Sequence, residues 1–333
     1  MTNMRRTDHS LKHFCEGLKK KKSFLLASHV NPEGDAVGSL IAVESVLHRL
    51  GKKTKIVCED SFPERLHCLR YQGRWNIYRD IQGKKLSFDA LVVADCPTLE
   101  RIGKVKELLH PDTTIFNIDH HISNTRFGHF NYVKPKAAAC GEVIYEIIKH
   151  FKLSITQEEA VALYVSLSTD TGSFKYSNTS VRAHRIAAEL IRTGIDVDRI
   201  NEELYATYSL NKIQLYSRLL GKVQTSFGGK VAWVAMSRAD LKVSSATYED
   251  TEGFIDFLKY LKEVKIAFFL SEMERENEVK VSFRSKEHYD VNQIATAFGG
   301  GGHKKASGCT IHMNLADAVQ TILVEIQKQI NFK

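Results

Sequence analysis

Nowhere in its 333 residues does the chain carry an apolar stretch approaching the ~20 residues of a membrane span, which excludes a helical transmembrane protein. Residues 1–24, MTNMRRTDHSLKHFCEGLKKKKSF, are basic but have no apolar core segment. That argues against a secretory signal and makes the cytoplasm the expected location. The six cysteines (Cys15, Cys58, Cys68, Cys96, Cys140 and Cys309) are scattered, with no CxxC pair. Reduced, mostly buried thiols fit this spacing, and a disulfide framework or zinc ribbon does not. No G-x-G-x-x-G is present, which disfavours a dinucleotide cofactor, and no G-x-x-x-x-G-K-[ST] can be aligned with the one glycine-rich run. Low-complexity segments and internal repeats are also absent.

What remains is ordinary globular composition, 43% hydrophobic and 26% charged, over a length that predicts two domains. Lys and Arg total 47 against 39 Asp and Glu, a surplus of 8. That balance suits an anionic substrate, and equally an unremarkable basic protein.

Strand-like and helix-like patterns alternate in the first half. Apolar runs at 23–28, 54–58, 88–94 and 113–118 predict buried strands. Between the first two, Val37, Leu40, Ile41, Leu47 and Leu50 mark an amphipathic helix that Gly51 closes. Helices are expected over 137–151, 157–166 and 181–192. The fold class is therefore α/β, with a doubly wound, mainly parallel sheet over residues 1–195. A helical linker is placed at 196–222. Residues 223–333 are expected to form a smaller α/β domain with a mixed sheet: strands at 223–227, 230–236, 266–272 and 279–284, a tight turn at Gly228-Gly229, and a last helix over 315–330.

Four polar clusters follow these elements: His29-Val-Asn-Pro-Glu33-Gly-Asp35, Asp95, Asp119-His120-His121 and Asp170. In a parallel sheet the strand C-termini share one edge, so acids and imidazoles distant in sequence can converge there. Each residue alone has an ordinary explanation: His29 as a hydrogen-bonded histidine, Glu33 and Asp35 as helix N-terminal acids, Asp95 as a turn residue, Asp170 as a loop acid. Together they form a donor set suited to borderline-hard divalent ions such as Mn²⁺. In the second half, Arg284 ends the run VKVSFR, and Gly299-Gly300-Gly301-Gly302-His303 allows backbone N–H groups to approach an anion, as in a nest or helix N-terminus. A plain flexible loop accounts for the glycines equally well.

Taken in order, HVNPEGDAVGS (29–39), VVADCP (92–97), IDHHISN (118–124), STDTGSF (168–174), VSFRSK (281–286) and FGGGGHKKASG (298–308) resemble the DHH phosphoesterase superfamily, which includes the RecJ exonucleases and family II pyrophosphatases. The pairing with a DHH-associated second domain is similar to the nanoRNase and pAp phosphatase branch. The resemblance implies two ions, Mn²⁺ with Mg²⁺ or Co²⁺ as substitutes. His29, Glu33 and Asp95 would hold one ion, and Asp35, Asp95, His120 and Asp170 the other, with Asp95 bridging. Asp119 would orient a ligand, and His121 would face the scissile phosphate. Arg284, Gly300, Gly301, Gly302 and His303 would grip the rest of the substrate. The family usually has Asp where this chain has Glu33, which puts the first ion's binding in question.

The expected activity is hydrolysis of short single-stranded RNA to mononucleotides and dephosphorylation of adenosine 3′,5′-bisphosphate. Hydrolysis of cyclic or linear dinucleotides and non-catalytic nucleotide binding are the alternatives. The resemblance also implies a homodimer and no membrane partner.

Overall fold

The computed structural model describes residues 2–84 and 86–329, with side chains from residue 11 onward. The chain divides between Thr207 and Tyr208 into two compact units.

The first unit runs α1 (Thr2–Lys20), β1 (Ser23–Ala27), α2 (Gly34–Arg49), β2 (Lys53–Cys58), β3 (Asn76–Ile77), α3 (Tyr78–Ile81), β4 (Ala90–Ala94), β5 (Thr114–Asp119), β6 (Phe130–Val133), α4 (Cys140–His150), α5 (Gln157–Asp170), α6 (Val181–Ile191) and α7 (Val197–Asn201). The strands pair in the order β3-β2-β1-β4-β5-β6, every pairing parallel. Strand β4 (ALVVA) is buried along its whole length, as a strand covered on both faces must be. One face packs against α1, α2, α4 and α5 through Phe14, Leu40, Val143 and Leu163. The other buries Leu25, Leu91 and Val93 under Tyr78, Ile102 and Val105. Sequence order reverses between β1 and β4, and such a switch point leaves a crevice at the strand C-termini.

The sequence reading contains no α1, β3 or α3, and two further elements depart from it. Helix α5 does not stop at Ser166 but continues to Asp170, so Asp170 is its last residue rather than a loop acid. The hydroxyls of Thr169 and Thr171 donate back to the carbonyls of Val165 and Leu167, which lets polar residues finish the helix before Gly172 breaks it. Strand β6 carries only four residues, FNYV, and no apolar run in the sequence predicts it.

Helices α2 and α5 approach unusually closely. A β-carbon on Gly38 would lie 2.3 Å from the Ala162 carbonyl oxygen, and one on Gly34 would strike the Thr169 side chain. Only glycine permits this contact, and it brings the start of α2 against the end of α5.

The second unit comprises α8 (Leu210–Leu220), β7 (Gln224–Ser226), β8 (Val231–Met236), α9 (Arg238–Val243), α10 (Phe254–Tyr260), β9 (Ile266–Glu272), β10 (Val279–Ser285), α11 (Val291–Ala297), β11 (Gly301–His303), β12 (Ala306–Ile311) and α12 (Leu315–Gln329). Its sheet has the order β11-β12-β10-β9-β8-β7 and is mixed: β8 and β9 are parallel and the other pairings antiparallel. Alternate residues of β10 (Val279, Val281, Phe283) face α11 and α12. The opposite face of the sheet is covered by α8 and α10 over β8 and β9. Segment 196–222, read from sequence as a connector, contains the division between the units. Its α8 sends Leu215, Tyr216 and Leu219 into the second unit's core. Among the described residues no helix is long and apolar enough to cross a membrane.

Candidate metal centre

The strand ends of the first unit deliver the side chains. His29 follows β1, Asp95 follows β4, and Asp119 closes β5 with His120 and His121 immediately after it. Asp95 adopts a left-handed backbone at φ 55°, rare for a residue with a β-carbon, while its N–H donates to the Ile118 carbonyl at 2.9 Å. That turn directs the Asp95 carboxylate towards the histidines instead of continuing the strand.

His120 stands at the centre. Its Nε2 lies 3.5 Å from Asp35 Oδ2, 3.5 Å from Asp95 Oδ1 and 3.6 Å from Asp170 Oδ2. Its Nδ1 is 3.2 Å from the Ala137 carbonyl, which can only accept, so Nδ1 carries a proton and Nε2 is the nitrogen turned to the three acids. His29 repeats the arrangement: Nδ1 donates to the Val30 carbonyl at 2.8 Å, and Nε2 faces Asp95 Oδ2 at 3.7 Å. Imidazole nitrogens and carboxylate oxygens that face one another this closely hold either a proton or a metal cation between them. Donor atoms about 2.1 Å from one ion sit roughly 3.0–3.4 Å apart, close to the spacings here. Asp95 Oδ1 is moreover buried with no hydrogen-bond donor. Two groupings can each hold a divalent cation: Asp35, His120 and Asp170, and Asp95, His120 and His121. This donor set of carboxylates and imidazoles fits a divalent cation.

Electrostatics point the same way. Burial, then the charge of Asp95, pushes the Asp35 carboxyl up to about 6. Burial and the charge of Asp35 raise Asp170 well above the usual carboxylate range. Burial would lower His120, but its bond to Asp95 and the charges of Asp35, Asp95 and Asp170 hold it well above its ordinary value. Protons crowd where cations are wanted.

Asp35 is fixed by four donors. Ser166 Oγ and Ser39 Oγ reach Oδ1 at 2.5 and 3.1 Å, the N–H of Gly141 reaches the same atom at 3.2 Å, and the N–H of Cys140 reaches Oδ2 at 2.7 Å. Ser39 was foreseeable, four residues along one helix from Asp35. Ser166, 131 residues away in sequence, left no local signal.

Asp119 is fully buried and does not join either grouping. Its Oδ1 accepts from the His120 N–H at 2.8 Å and from His121 Nδ1 at 2.7 Å, and its Oδ2 accepts from Asn124 at 2.5 Å. Asn124, quoted in the motif but given no role, thus braces the acid. Nδ1 of His121 is thereby committed to Asp119. Glu33 is the N-cap of α2; it is exposed, makes no side-chain capping bond, and stands outside both groupings. Its charge still acts on His29 and Asp170.

In the second unit, Arg284 is half-buried on β10, its Nη1 donating to the Phe283 carbonyl at 3.0 Å and its Nε 4.0 Å from Asp256 Oδ1. Gly301, Gly302 and His303 form an exposed edge strand, β11, directly after Gly300, in place of the nest or helix N-terminus that the sequence suggested. Pairing with β12 accounts for this, and an edge strand still presents outward backbone groups.

Comparison with known proteins agrees in both units. The DHH family, N-terminal domain, matches residues 23–167, and the DHHA1 domain matches residues 228–331. The bifunctional oligoribonuclease and PAP phosphatase NrnA of Thermus thermophilus is 31% identical over 310 residues, 92% of this chain and 89% of that protein. Its Bacillus subtilis namesake is 25% identical over 309 residues, 92% and 94% of the two chains. Among solved structures, an exopolyphosphatase-related protein from Bacteroides fragilis superposes with a TM-score of 0.91 at 25% identity over 96% of both chains. RecJ of Thermus thermophilus in complex with Mn²⁺ gives 0.54 at 12% identity, covering 96% of this chain and 54% of RecJ, a likeness of fold alone. Both domains in order, with a 31%-identical relative aligned along nearly the whole length, place this chain in the DHH family of phosphoesterases, beside the NrnA-type oligoribonuclease and PAP phosphatases.

Proposed function

We propose that this chain is a divalent-metal phosphoesterase that releases nucleotides from very short RNAs and removes a phosphate from adenosine 3′,5′-bisphosphate, with Mn²⁺ as its working ion. The observation that carries the reading is His120 Nε2, turned away from the Ala137 carbonyl and ringed by Asp35, Asp95 and Asp170 at 3.5–3.6 Å. The names of the relatives supply the substrate class.

In this proposal His29, Glu33 and Asp95 hold one ion, and Asp35, Asp95, His120 and Asp170 the other. Bound ions supply an activated water and neutralise phosphoryl oxygens. The protein's own groups do the rest. Asp119 holds the Nδ1 proton of His121 and so orients the ring, and His121 would donate to a phosphoryl oxygen as charge develops there. Burial opposes the protonation of His121, but its bond to Asp119 and the charge of Asp95 raise its pKa and keep a proton available. Asn124 and the buried position of Asp119 fix that orientation. Ser166 and the amides of Cys140 and Gly141 keep Asp35 from rotating. In the second unit, Arg284 and His303 would contact substrate phosphate through charge-assisted hydrogen bonds.

The test incubates purified protein and Mn²⁺ with a diribonucleotide, a pentaribonucleotide, adenosine 3′,5′-bisphosphate, cyclic dinucleotides and inorganic polyphosphate, with products resolved by chromatography. Turnover of the diribonucleotide and the bisphosphate is expected. Turnover of cyclic dinucleotides or polyphosphate alone would replace the substrate assignment, and none at all would leave a nucleotide-binding protein. Asp170→Ala should abolish turnover and leave the metal-free melting temperature unchanged or higher, because one of three crowded carboxylates is gone.

A further inference from the structure

Strand β2 ends at Cys58, and Asp60, half-buried just beyond it, accepts the N–H of Asn31 on Oδ2 at 2.6 Å. Asn31 stands between His29 and Glu33 in the turn that leaves β1, with a left-handed backbone at φ 54°. The same peptide group, Val30–Asn31, offers its carbonyl to His29, whose Nδ1 donates to it at 2.8 Å. One peptide group therefore carries a carboxylate at its N–H and an imidazole at its carbonyl. The arrangement recurs at His120. Its Nδ1 lies 3.2 Å from the Ala137 carbonyl, and the N–H of that same peptide group, on Ala138, donates to Glu142 Oε2 at 3.0 Å. Glu142 is buried in the first turn of α4, where Arg182 Nε meets its other oxygen at 2.9 Å.

Electrons in a peptide group are delocalised from nitrogen to oxygen. A carboxylate at the N–H strengthens that polarisation and makes the carbonyl a better acceptor, and hydrogen bonds joined in series reinforce one another. A better acceptor behind Nδ1 fixes the ring and makes Nε2 a stronger donor to a cation. Both rings turn Nε2 to the acids: His29 to Asp95 Oδ2 at 3.7 Å, and His120 to Asp35, Asp95 and Asp170. The Val30–Asn31 group is also held from its other neighbour, since the Val30 N–H donates to the Arg101 carbonyl at 2.8 Å. His121 has the direct form of the same support, Nδ1 to Asp119 Oδ1 at 2.7 Å. All three imidazoles thus have a carboxylate behind Nδ1, one in contact and two through a peptide group.

We infer that Asp60 and Glu142 are positioning residues of the metal centre, each acting through one peptide group on one histidine: Asp60 on His29, and Glu142 on His120. The inference rests on the proposed reading in which His29 serves the first ion and His120 the second. Neither acid belongs to the groupings that can hold a cation. Each sets the orientation and donor strength of a ring that does.

The experiment uses Asp60→Asn and Glu142→Gln, which keep an acceptor oxygen in the same shape and remove the charge. In metal-free protein, proton NMR reads the Nδ1–H resonances of His29 and His120, assigned by their loss in His29→Asn and His120→Asn. A weaker acceptor moves such a proton upfield. Asp60→Asn should therefore shift the His29 resonance alone, and Glu142→Gln the His120 resonance alone. Equilibrium binding of Mn²⁺ without substrate should show one of two ions weakened about tenfold in each variant, and both in the double variant. A general loosening of the fold would move the two resonances together; that result, or no movement of either, overturns the relay. Unchanged Mn²⁺ affinities in the variants of a parent that binds two ions overturn the positioning role even if the resonances move. A parent that binds fewer than two ions removes the two-ion reading, and the crossed shifts then still uphold the relay.

Discussion

Gly38 of α2 and the carbonyl of Ala162 on α5 meet so closely that any β-carbon on Gly38 would sit 2.3 Å from the oxygen. The contact lies one turn from Asp35 at the start of α2 and two turns from Asp170 at the end of α5, the two acids that flank His120 Nε2 at 3.5 and 3.6 Å. A backbone carbonyl cannot rotate aside as a side chain can, so a methyl group here must part the helices. Gly38→Ala should cost about 1–3 kcal/mol of stability and raise the Mn²⁺ concentration needed for half-maximal turnover. Thermal unfolding and a metal titration read both; an unchanged melting temperature would mean that the helices yield freely.

Ser166 acts on the centre through Asp35. Its hydroxyl donates to Asp35 Oδ1 at 2.5 Å and accepts from the Gly141 N–H at 3.0 Å, joining α5, α2 and the start of α4. Ser166→Ala leaves Asp35 with three donors and removes the shortest. Loss of such a supporting bond lowers metal affinity about 10- to 100-fold in comparable sites. Excess Mn²⁺ should therefore recover most of the turnover in Ser166→Ala. If turnover stays low at saturating metal, the hydroxyl has a role beyond holding Asp35.

His29, Asp35, Asp95, Asp119, His120 and Asp170, singled out from four motifs of the first unit, lie together in the structure. His29, Asp95 and His120 were legible for one reason: a buried strand leaves its next residue at the sheet edge. What supports them was not legible. Ser166 meets Asp35 only after 131 residues of intervening chain have folded. Strand β12 (ASGCTI) has small, half-polar residues that resemble a loop, and only pairing with β10 makes them a strand. Asp170 was misplaced in a loop because threonines are weak helix formers, and their back-bonding to the preceding turn is a tertiary-context choice.

The second unit offers a pH test away from any metal. Asp240 is buried and caps α9. Burial would raise its carboxyl, but bonds from Lys222, the Ser237 N–H, Arg218 and the Ser237 hydroxyl hold it well below the usual carboxylate range. A pKa depressed on folding contributes stability above the unfolded value, near 3.9, and that contribution disappears as pH falls towards the folded value. Asp240→Asn should therefore be less stable than the parent at pH 7, with the gap narrowing steadily below about pH 4. Urea unfolding between pH 7 and pH 3 measures it; a gap independent of pH would mean that the charge contributes nothing.

Glu33 stands where the resemblance to the family leads one to expect an aspartate, and its position gives a substitution there a double effect. It occupies the N-cap of α2 at φ −108° and ψ −173° without a side-chain capping bond, its carboxylate exposed. One methylene shorter, an aspartate reaches the second or third amide of the helix, a cap generally worth about 0.5–2 kcal/mol over a non-capping residue. Shortening also draws the carboxylate towards the strand ends where His29 and Asp95 stand. Glu33→Asp should stabilise the metal-free protein slightly and lower the Mn²⁺ concentration for half-maximal turnover, whereas Glu33→Ala should raise that concentration. Metal titrations of the three proteins with a diribonucleotide decide it. If Glu33→Ala titrates like the parent, Glu33 holds no ion, and His29 and Asp95 bind the first ion without it.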